Sequence, residues 1–386
     1  MEVEVLSGGL AGLKLGSSRE AVSSVSGRAT GRGKKKALRK VLDREKKPSS
    51  YRKKRRDHEE FMRSLREEKP KETREEDEIV DYRDLWDCLF SDEYGSFDDE
   101  TALGPMRHTF GPIPPYAASD CTLQIFYIRV TEISRGGLQW PLHVHGFVAA
   151  RDNVDHNRNF LFNRTRDDCQ TLTEEDPWLM LTGPSRALLL IDPIGIEVQL
   201  KVKSKTDPEK DELLAFKVFN YHQAYHSDEV VSPSIFCKRC TLEFAYAPLL
   251  PSVEATVTVK VVDGSWDDRL QGAVTCRTAS LEKGEMVLLS CSDGKLPVNS
   301  DGVVELSRRA VSVEERGQLL VSVLARPPGN KKGLAAMEDT AVFTQMNAST
   351  SSGICDLGFC KMQVTVAWSL LSTLFDIRLA AERRAS

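Results

Sequence analysis

Hydrophobic and polar residues alternate strictly along two stretches of the chain. One is Ile196-Glu197-Val198-Gln199-Leu200-Lys201-Val202-Lys203, and the other is Ala255-Thr256-Val257-Thr258-Val259-Lys260-Val261. A period of two turns one face of a strand to a core and the other to water, as in antiparallel sheets. Short runs of β-branched and aromatic residues, broken by Gly, Pro, Asn and Asp, recur from residue 121 onward. They predict strands over 123–131, 141–150, 159–162, 187–191, 196–203 and 216–221. A second series follows over 241–246, 254–262, 272–278, 286–290, 303–306, 319–324, 341–345 and 362–370. Helical periodicity is scarce there, so the expected class is all-β, an antiparallel β-sandwich assembly in two packed halves. The halves are expected at 121–226 and 238–371, with a break over 227–237. Residues 372–386 form a C-terminal tail that reads as a short basic helix with Arg378, Arg383 and Arg384.

Before residue 121 the pattern changes. Large apolar side chains are sparse between Gly31 and Glu78, and each ordered residue costs about 1–2 kcal/mol of backbone entropy. Residues 1–120 are therefore expected to be a disordered or partly helical charged tail. A local helix is predicted over 57–69, where Asp57 and Glu60 have capping-box spacing, and Pro70 stops it. Pro105, Pro112, Pro114 and Pro115 make a stiff connector into the folded part. Tyr82, Leu85, Trp86, Leu89 and Phe90 form one continuous helical stripe among Asp81, Asp84 and Asp87. This is the form of an acidic helix that docks in a partner's groove, and the plainer reading is that it packs on the chain's own β region.

The 386 residues carry a formal net charge of −4, and this near-neutrality is a cancellation. Residues 28–74 hold twenty Lys/Arg against eight Asp/Glu, and residues 75–100 hold twelve acids against one base, Arg83. Within the basic block, Lys34, Lys35 and Lys36, then Lys53, Lys54, Arg55 and Arg56, form clusters suited to the acidic groove of an import receptor. Nucleic acid is a second partner for this basic tail through its phosphates, although Tyr51 is the one aromatic residue in the run 46–56. Nine scattered cysteines suit a reducing compartment. Nucleus or cytoplasm is the favoured address. A Ser/Gly/Ala-rich stretch over 7–42 makes an organellar transit peptide the alternative. No stretch is long and apolar enough to span a membrane.

Five segments stand out as a set. The first three are His143-Val144-His145-Gly146-Phe147-Val148-Ala149-Ala150-Arg151-Asp152, Arg166-Asp167-Asp168-Cys169-Gln170 and Leu181-Thr182-Gly183-Pro184-Ser185-Arg186-Ala187-Leu188. Val253-Glu254-Ala255-Thr256-Val257 and Met362-Gln363-Val364-Thr365-Val366-Ala367-Trp368-Ser369 complete it. Together they resemble a large grass-plant family defined by a domain of unknown function. The likeness runs in order over residues 121–371 and implies a charged N-terminal region ahead of the domain. In that family the domain is sometimes fused to ribosome-inactivating N-glycosylases. That activity needs a Glu and an Arg one helical turn apart inside an enzyme domain. Glu60 and Arg63 have the spacing but lie in the charged tail, so the enzyme half is read as absent.

Other constellations are weaker. Cys237-Lys238-Arg239-Cys240 has the spacing of a zinc knuckle, with Cys355 and Cys360 as the completing pair, yet the pairs are far apart in sequence. Buried structural cysteines are the plainer reading. His143, His145, Asp152, Asp155 and His156 cluster on paper and invite a calcium reading, whereas turn chemistry accounts for the aspartates. Nucleophile-elbow, Rossmann and Walker patterns are missing. The sequence assigns no catalytic residue, metal or cofactor. Its expected function is a non-enzymatic binding module with a protein partner, in a plant stress or defence setting that the resemblance implies. The alternative is a regulatory relative of the ribosome-inactivating glycosylases, or an enzyme with an unrecognised site.

Overall fold

The structure, a computed structural model, describes residues 74–134, 137–191, 193–204, 207–221, 229–281, 283–291, 296–327 and 336–385. The described residues fall into two compact units, 74–97 and 98–385. Both basic clusters, including Lys34 and Arg56, and the helix expected over 57–69 lie outside the described residues.

The first unit is α1 (Arg74–Tyr94) and the turn after it. Glu75, Glu76 and Asp77 occupy its first turn, where negative charge complements the helix dipole. The apolar stripe is helical as its spacing requires. Gly95, at φ +94°, reverses the chain. Phe97 then returns to the stripe, with ring centroids 6.0 Å from Tyr82 and 5.7 Å from Trp86. The Arg83 guanidinium lies 4.3 Å from the centre of the Phe97 ring, and Trp86 also meets Phe90 at 6.0 Å. Leu85 and Leu89 are half-buried.

The second unit is built from antiparallel sheets. A five-stranded sheet holds β2 (Leu142–Arg151), β3 (Asn159–Arg164), β4 (Gln170–Leu172), β6 (Ile194–Val202) and β7 (Glu212–Tyr221). Its order is β3-β2-β6-β7, with β4 also on β2. An eight-stranded sheet holds β1 (Asp120–Ile133), β5 (Leu188–Leu189), β8 (Ser234–Phe236) and β9 (Cys240–Gly264). It also takes β12 (Val303–Val304), β13 (Ala310–Glu314), β16 (Ala348–Asp356) and β17 (Cys360–Ser369). The order is β16-β17-β9-β1-β5, and β8, β12 and β13 pair with β9 as well. The third sheet, β11-β10-β14-β15, comprises β10 (Gln271–Thr278), β11 (Met286–Cys291), β14 (Gln318–Arg326) and β15 (Met337–Thr344). The chain closes with α2 (Leu374–Ala385), started by a reciprocal cap between Thr373 and Asp376. All-β antiparallel packing is thus the observed class.

β9 is the spine. The sequence predicts two strands, 241–246 and 254–262, whereas the structure runs one strand of 25 residues through Pro248 and Pro251. Proline lacks an N–H, so it is tolerated in a strand only at an edge or where pairing is interrupted. Pro251 sits at such a point: β1 stops pairing near Ser252, and β13 begins there with Ser252 opposite Glu314. The first half of β9 sends Leu242, Phe244 and Tyr246 into a core shared with β2, β6 and β7. Its second half sends Val253, Ala255, Val257 and Val259 into a second core with β10, β14 and β17. Ile235 of β8 belongs to the first core.

The two cores meet across the β1–β9 pair, which is covered on both faces. Ile125, Ile128 and Val130 face the first core, and Phe126, Ala245 and Ala247 face the second. Phe126 faces away from Ile125 by the ordinary pleat, and a bulge between Ile125 and Tyr127 leaves Tyr127 on the side of Phe126 and returns Ile128 to the face of Ile125. The two carbonyls at the bulge are taken by a buried arginine. Arg308 Nη2 donates to Ile125 O at 2.8 Å and Nη1 to Phe126 O at 3.2 Å. Burial in this apolar place pulls the Arg308 guanidinium down to about 10, and the nearby Cys276 thiol only partly offsets that.

Candidate functional site

Three of the segments that carry the family resemblance end at one place. β2 finishes in Arg151 and the following turn opens with Asp152, whose carboxylate accepts the Val154 N–H in an Asx turn. The chain then reverses through His156 at φ +56°. Across the gap, the segment before β5 delivers Arg186, which is fully buried. Arg186 Nη1 and Nη2 meet Asp152 Oδ2 and Oδ1 at 2.7 and 3.0 Å, and Nη2 reaches Asp155 Oδ1 at 2.9 Å. Burial by itself would lower the Arg186 pKa. The charge and hydrogen bonds of Asp152, then Asp155 and Glu254, outweigh that and raise it.

Glu254, in the middle of β9, is the third carboxylate. It accepts the backbone N–H of Met106 at 2.7 Å and of Ala187 at 2.8 Å. Burial pushes its pKa up, and those hydrogen bonds and Arg107 pull the other way. Glu254 thereby ties the connector, the β5 segment and the spine strand together.

The connector itself departs from the expectation of a bare stiff linker, because residues 106–109 are pinned to the β unit. The His108 N–H donates to Ser369 Oγ at 3.0 Å, and His108 Nε2 lies 2.8 Å from Ser372 Oγ. Arg107 donates to the Ser372 carbonyl at 2.9 Å, and Thr109 O accepts the Ser349 N–H of β16 at 2.9 Å. Burial, with the neighbouring Arg107 charge, holds His108 below its usual range. Ala118 and Leu371 exchange backbone hydrogen bonds at the far end. Sparse apolar content misled the expectation here, since this segment is anchored by polar pairing.

Between these anchors the chain stands clear. Phe110 is 71% exposed and Ile113 is 46% exposed, beside exposed Pro112 and Pro115. A proline ring fixes φ near −65°, and the residue before a proline is pushed to extended conformations. Ile113 and Pro114 each precede a proline, so the stretch is stiff. It ends in a turn that Ala117 N–H closes on Pro114 O at 3.1 Å.

The other sequence candidates are separated by the fold. Asp152 and Asp155 of the paper histidine–aspartate cluster hold Arg186, so a guanidinium sits where a calcium reading would put the ion. His143 Nδ1 lies 2.9 Å from Thr171 Oγ1. His145 Nε2 lies 2.9 Å from Asp211 Oδ2, and Arg166, from another resemblance segment, also grips Asp211 at 2.8 and 3.2 Å. The Arg166 bonds first, then the Ser204 N–H and His145, outweigh burial and draw Asp211 from 3.8 to about 2. Gly146 beside His145 has φ +107°, and a Cβ there would sit 2.1 Å from Gln199 O, so the two backbones approach closely only because it is glycine. Cys237 and Cys240 precede or open β9, while Cys360 pairs with Gly264 at its other end. The two cysteine pairs are therefore remote from each other. Among the described residues no group of three or more His, Cys, Asp or Glu is arranged to hold a metal ion. No helix among them is long and apolar enough to cross a membrane.

Comparison with known proteins adds a family. The family model described as Domain of unknown function (DUF6598) matches residues 122–366, a span that contains Asp152, Arg186 and Glu254. No curated protein sequence matches the chain. Among solved structures it is similar to human GIVD cytosolic phospholipase A2, at 8% identity and TM-score 0.22, over 65% of this chain and 33% of that one. The chain thus spans about a third of the phospholipase's length. It is also similar to the tandem C2 domains of Extended-Synaptotagmin 2, at 9% identity and TM-score 0.23, over 71% of this chain and 100% of that one. Likeness this slight says nothing about what the chain binds or does.

Proposed function

The chain belongs to the family described as a domain of unknown function (DUF6598), and from that premise we propose that it is a non-enzymatic binding module that offers a stiff apolar loop to a protein partner. One observation carries the reading. The polar side chains near residue 108 are buried and paired with one another, while Phe110 and Ile113 project from the loop they anchor. A loop held extended before binding loses little conformational freedom on docking, and proline-stiffened segments suit aromatic-lined grooves. The acidic helix stripe at Tyr82, Leu85, Trp86, Leu89 and Phe90 is a second docking element in this proposal through its half-buried members, since Trp86 is buried and packs on Phe97. Import through Lys34–Lys36 and Lys53–Arg56, nuclear or cytoplasmic residence, and a plant stress or defence setting rest on sequence and resemblance alone.

The test uses the full chain and a Phe110→Ser/Ile113→Ser variant in affinity capture, with a peptide of residues 107–117 as competitor. A partner retained by the parent protein, lost by the variant and displaced by the peptide, at unchanged thermal unfolding, is the expected result. Equal capture by both proteins removes the loop from the reading. Release of adenine from ribosomes by the purified chain would replace the binding module with the glycosylase alternative.

A further inference from the structure

The short hairpin between β8 and β9 carries an unassigned chemical feature. β8 and β9 pair with Ile235 opposite Leu242 and Phe236 opposite Thr241. Continuing that register by one residue sets Cys237 directly opposite Cys240, and the Cys237 N–H donates to Cys240 O at 2.9 Å. Lys238 and Arg239 form the two-residue tip. Directly opposed, hydrogen-bonded residues in an antiparallel pair have Cα atoms about 5.5 Å apart, inside the range of about 4.4–6.8 Å that a disulfide spans. Both side chains also lie on one face, since Cys240 is a member of the first core and Cys237 packs against it. Both are in the reduced, thiol form.

The two differ in access. Cys240 is fully buried, with its Sγ 3.5 Å from Leu214 O. Cys237 is half-buried, and exposed Lys238 follows it. Arg239 pairs with Glu212, and its carbonyl accepts the Ser134 N–H at 2.8 Å, so the tip is held from both sides. An accessible cysteine can meet the oxidant, and a neighbouring one placed directly across from it can resolve the adduct by attack on its sulfur.

We propose that Cys237 and Cys240 form a reversible redox site that takes a small disulfide of the glutathione class as oxidant. The Cys237 thiolate attacks one sulfur of glutathione disulfide; its S–S bond breaks and one glutathione thiolate leaves. The Cys240 thiolate then attacks Cys237 Sγ and expels the second glutathione. In net terms two protein thiols become one disulfide, one glutathione disulfide becomes two glutathione thiols, and the protons released by the cysteines go to the leaving thiolates. The loop closed is only four residues long, so little chain entropy favours the bond, and reduction by the same couple returns the thiols.

The full chain is equilibrated in glutathione buffers from fully reduced to fully oxidised, quenched with an alkylating reagent, digested with trypsin and weighed. Trypsin cuts after Lys238 and Arg239, so a disulfide keeps two peptides joined that otherwise separate. The expected result is joint loss of alkylation at residues 237 and 240 in oxidising buffer, with the joined peptides restored to separate ones by reduction. Cys240→Ser should instead accumulate a glutathione adduct on Cys237, and Cys237→Ser should leave Cys240 unmodified. Alkylation of both residues throughout the series overturns the proposal, as does pairing of Cys237 with any other cysteine.

Discussion

Arg186 and Arg308 are both fully buried arginines, one just before β5 and the other just before β13, and they are held in opposite ways. Arg186 faces two aspartates with Glu254 close by, and its proton is held more tightly than in water. Arg308 faces two backbone carbonyls at a bulge, and its proton is held less tightly, with the pKa near 10. A guanidinium has five N–H donors and is costly to strip of water. Opposite charge repays that cost at Arg186. At Arg308 only dipoles do, and what is gained is satisfaction of the two carbonyls that the Phe126 bulge faces toward it. The first arginine joins segments distant in sequence; the second keeps the two cores in register at their shared strands.

The contrast can be broken most severely on the side of the charges. Arg186→Met leaves Asp152 and Asp155 buried without their cation, and breaking a buried pair in this manner costs about 3–5 kcal/mol. Chemical denaturation should show that loss, and the docking of residues 106–109 should loosen with it, read as faster hydrogen exchange at Met106 and Ala187. Arg308→Met removes a charge along with its bonds, so a smaller loss of about 1–3 kcal/mol is expected from the unpaired carbonyls. A loss at Arg308 as large as that at Arg186 would erase the distinction between charge and dipole.

The partly buried set of His145, Arg166 and Asp211 sharpens the comparison at its weak end. Asp211→Asn should cause the smallest loss of the three, reduced further by added salt. Its pH dependence has a fixed sign. The folded pKa of Asp211 is depressed from 3.8 to about 2, so its contribution is complete above about pH 4 and disappears as pH falls through about 2. Parent and variant unfolding curves should therefore differ at pH 5 and converge near pH 2. A difference that persists at pH 2 would assign the effect to packing.

Much of the β architecture was legible in the chain. The alternation at 196–202 and 255–261 falls in β6 and β9, although the second face is open only in part, since Glu197 and Thr256 are buried while Lys201 and Thr258 are exposed. β16 (Ala348–Asp356) gave no such signal: it is an edge strand rich in Ser and Thr, with few buried positions. β13 (Ala310–Glu314) escaped because it is short and buried along most of its length. The continuity of β9 was hidden as well, since Pro248 and Pro251 read as breaks, yet Pro248 stays opposite Leu123 of β1 and Pro251 falls where the partners of β9 change. For the site, Asp152, Arg186 and Glu254 were inside recognisable segments. Nothing local announced that they meet, and His108 lay in a stretch too poor in apolar residues to be expected in the interior.

By itself, then, the sequence determined the class of fold, the acidic stripe on α1 and the stiffness of residues 112–115, because each follows from local periodicity or from the proline ring. Tertiary structure decided that Arg186 meets two aspartates, that β9 serves two cores and that Cys237 stands across from Cys240. Those are distances between residues remote in sequence or set by strand register, and only the closed sheets fix them.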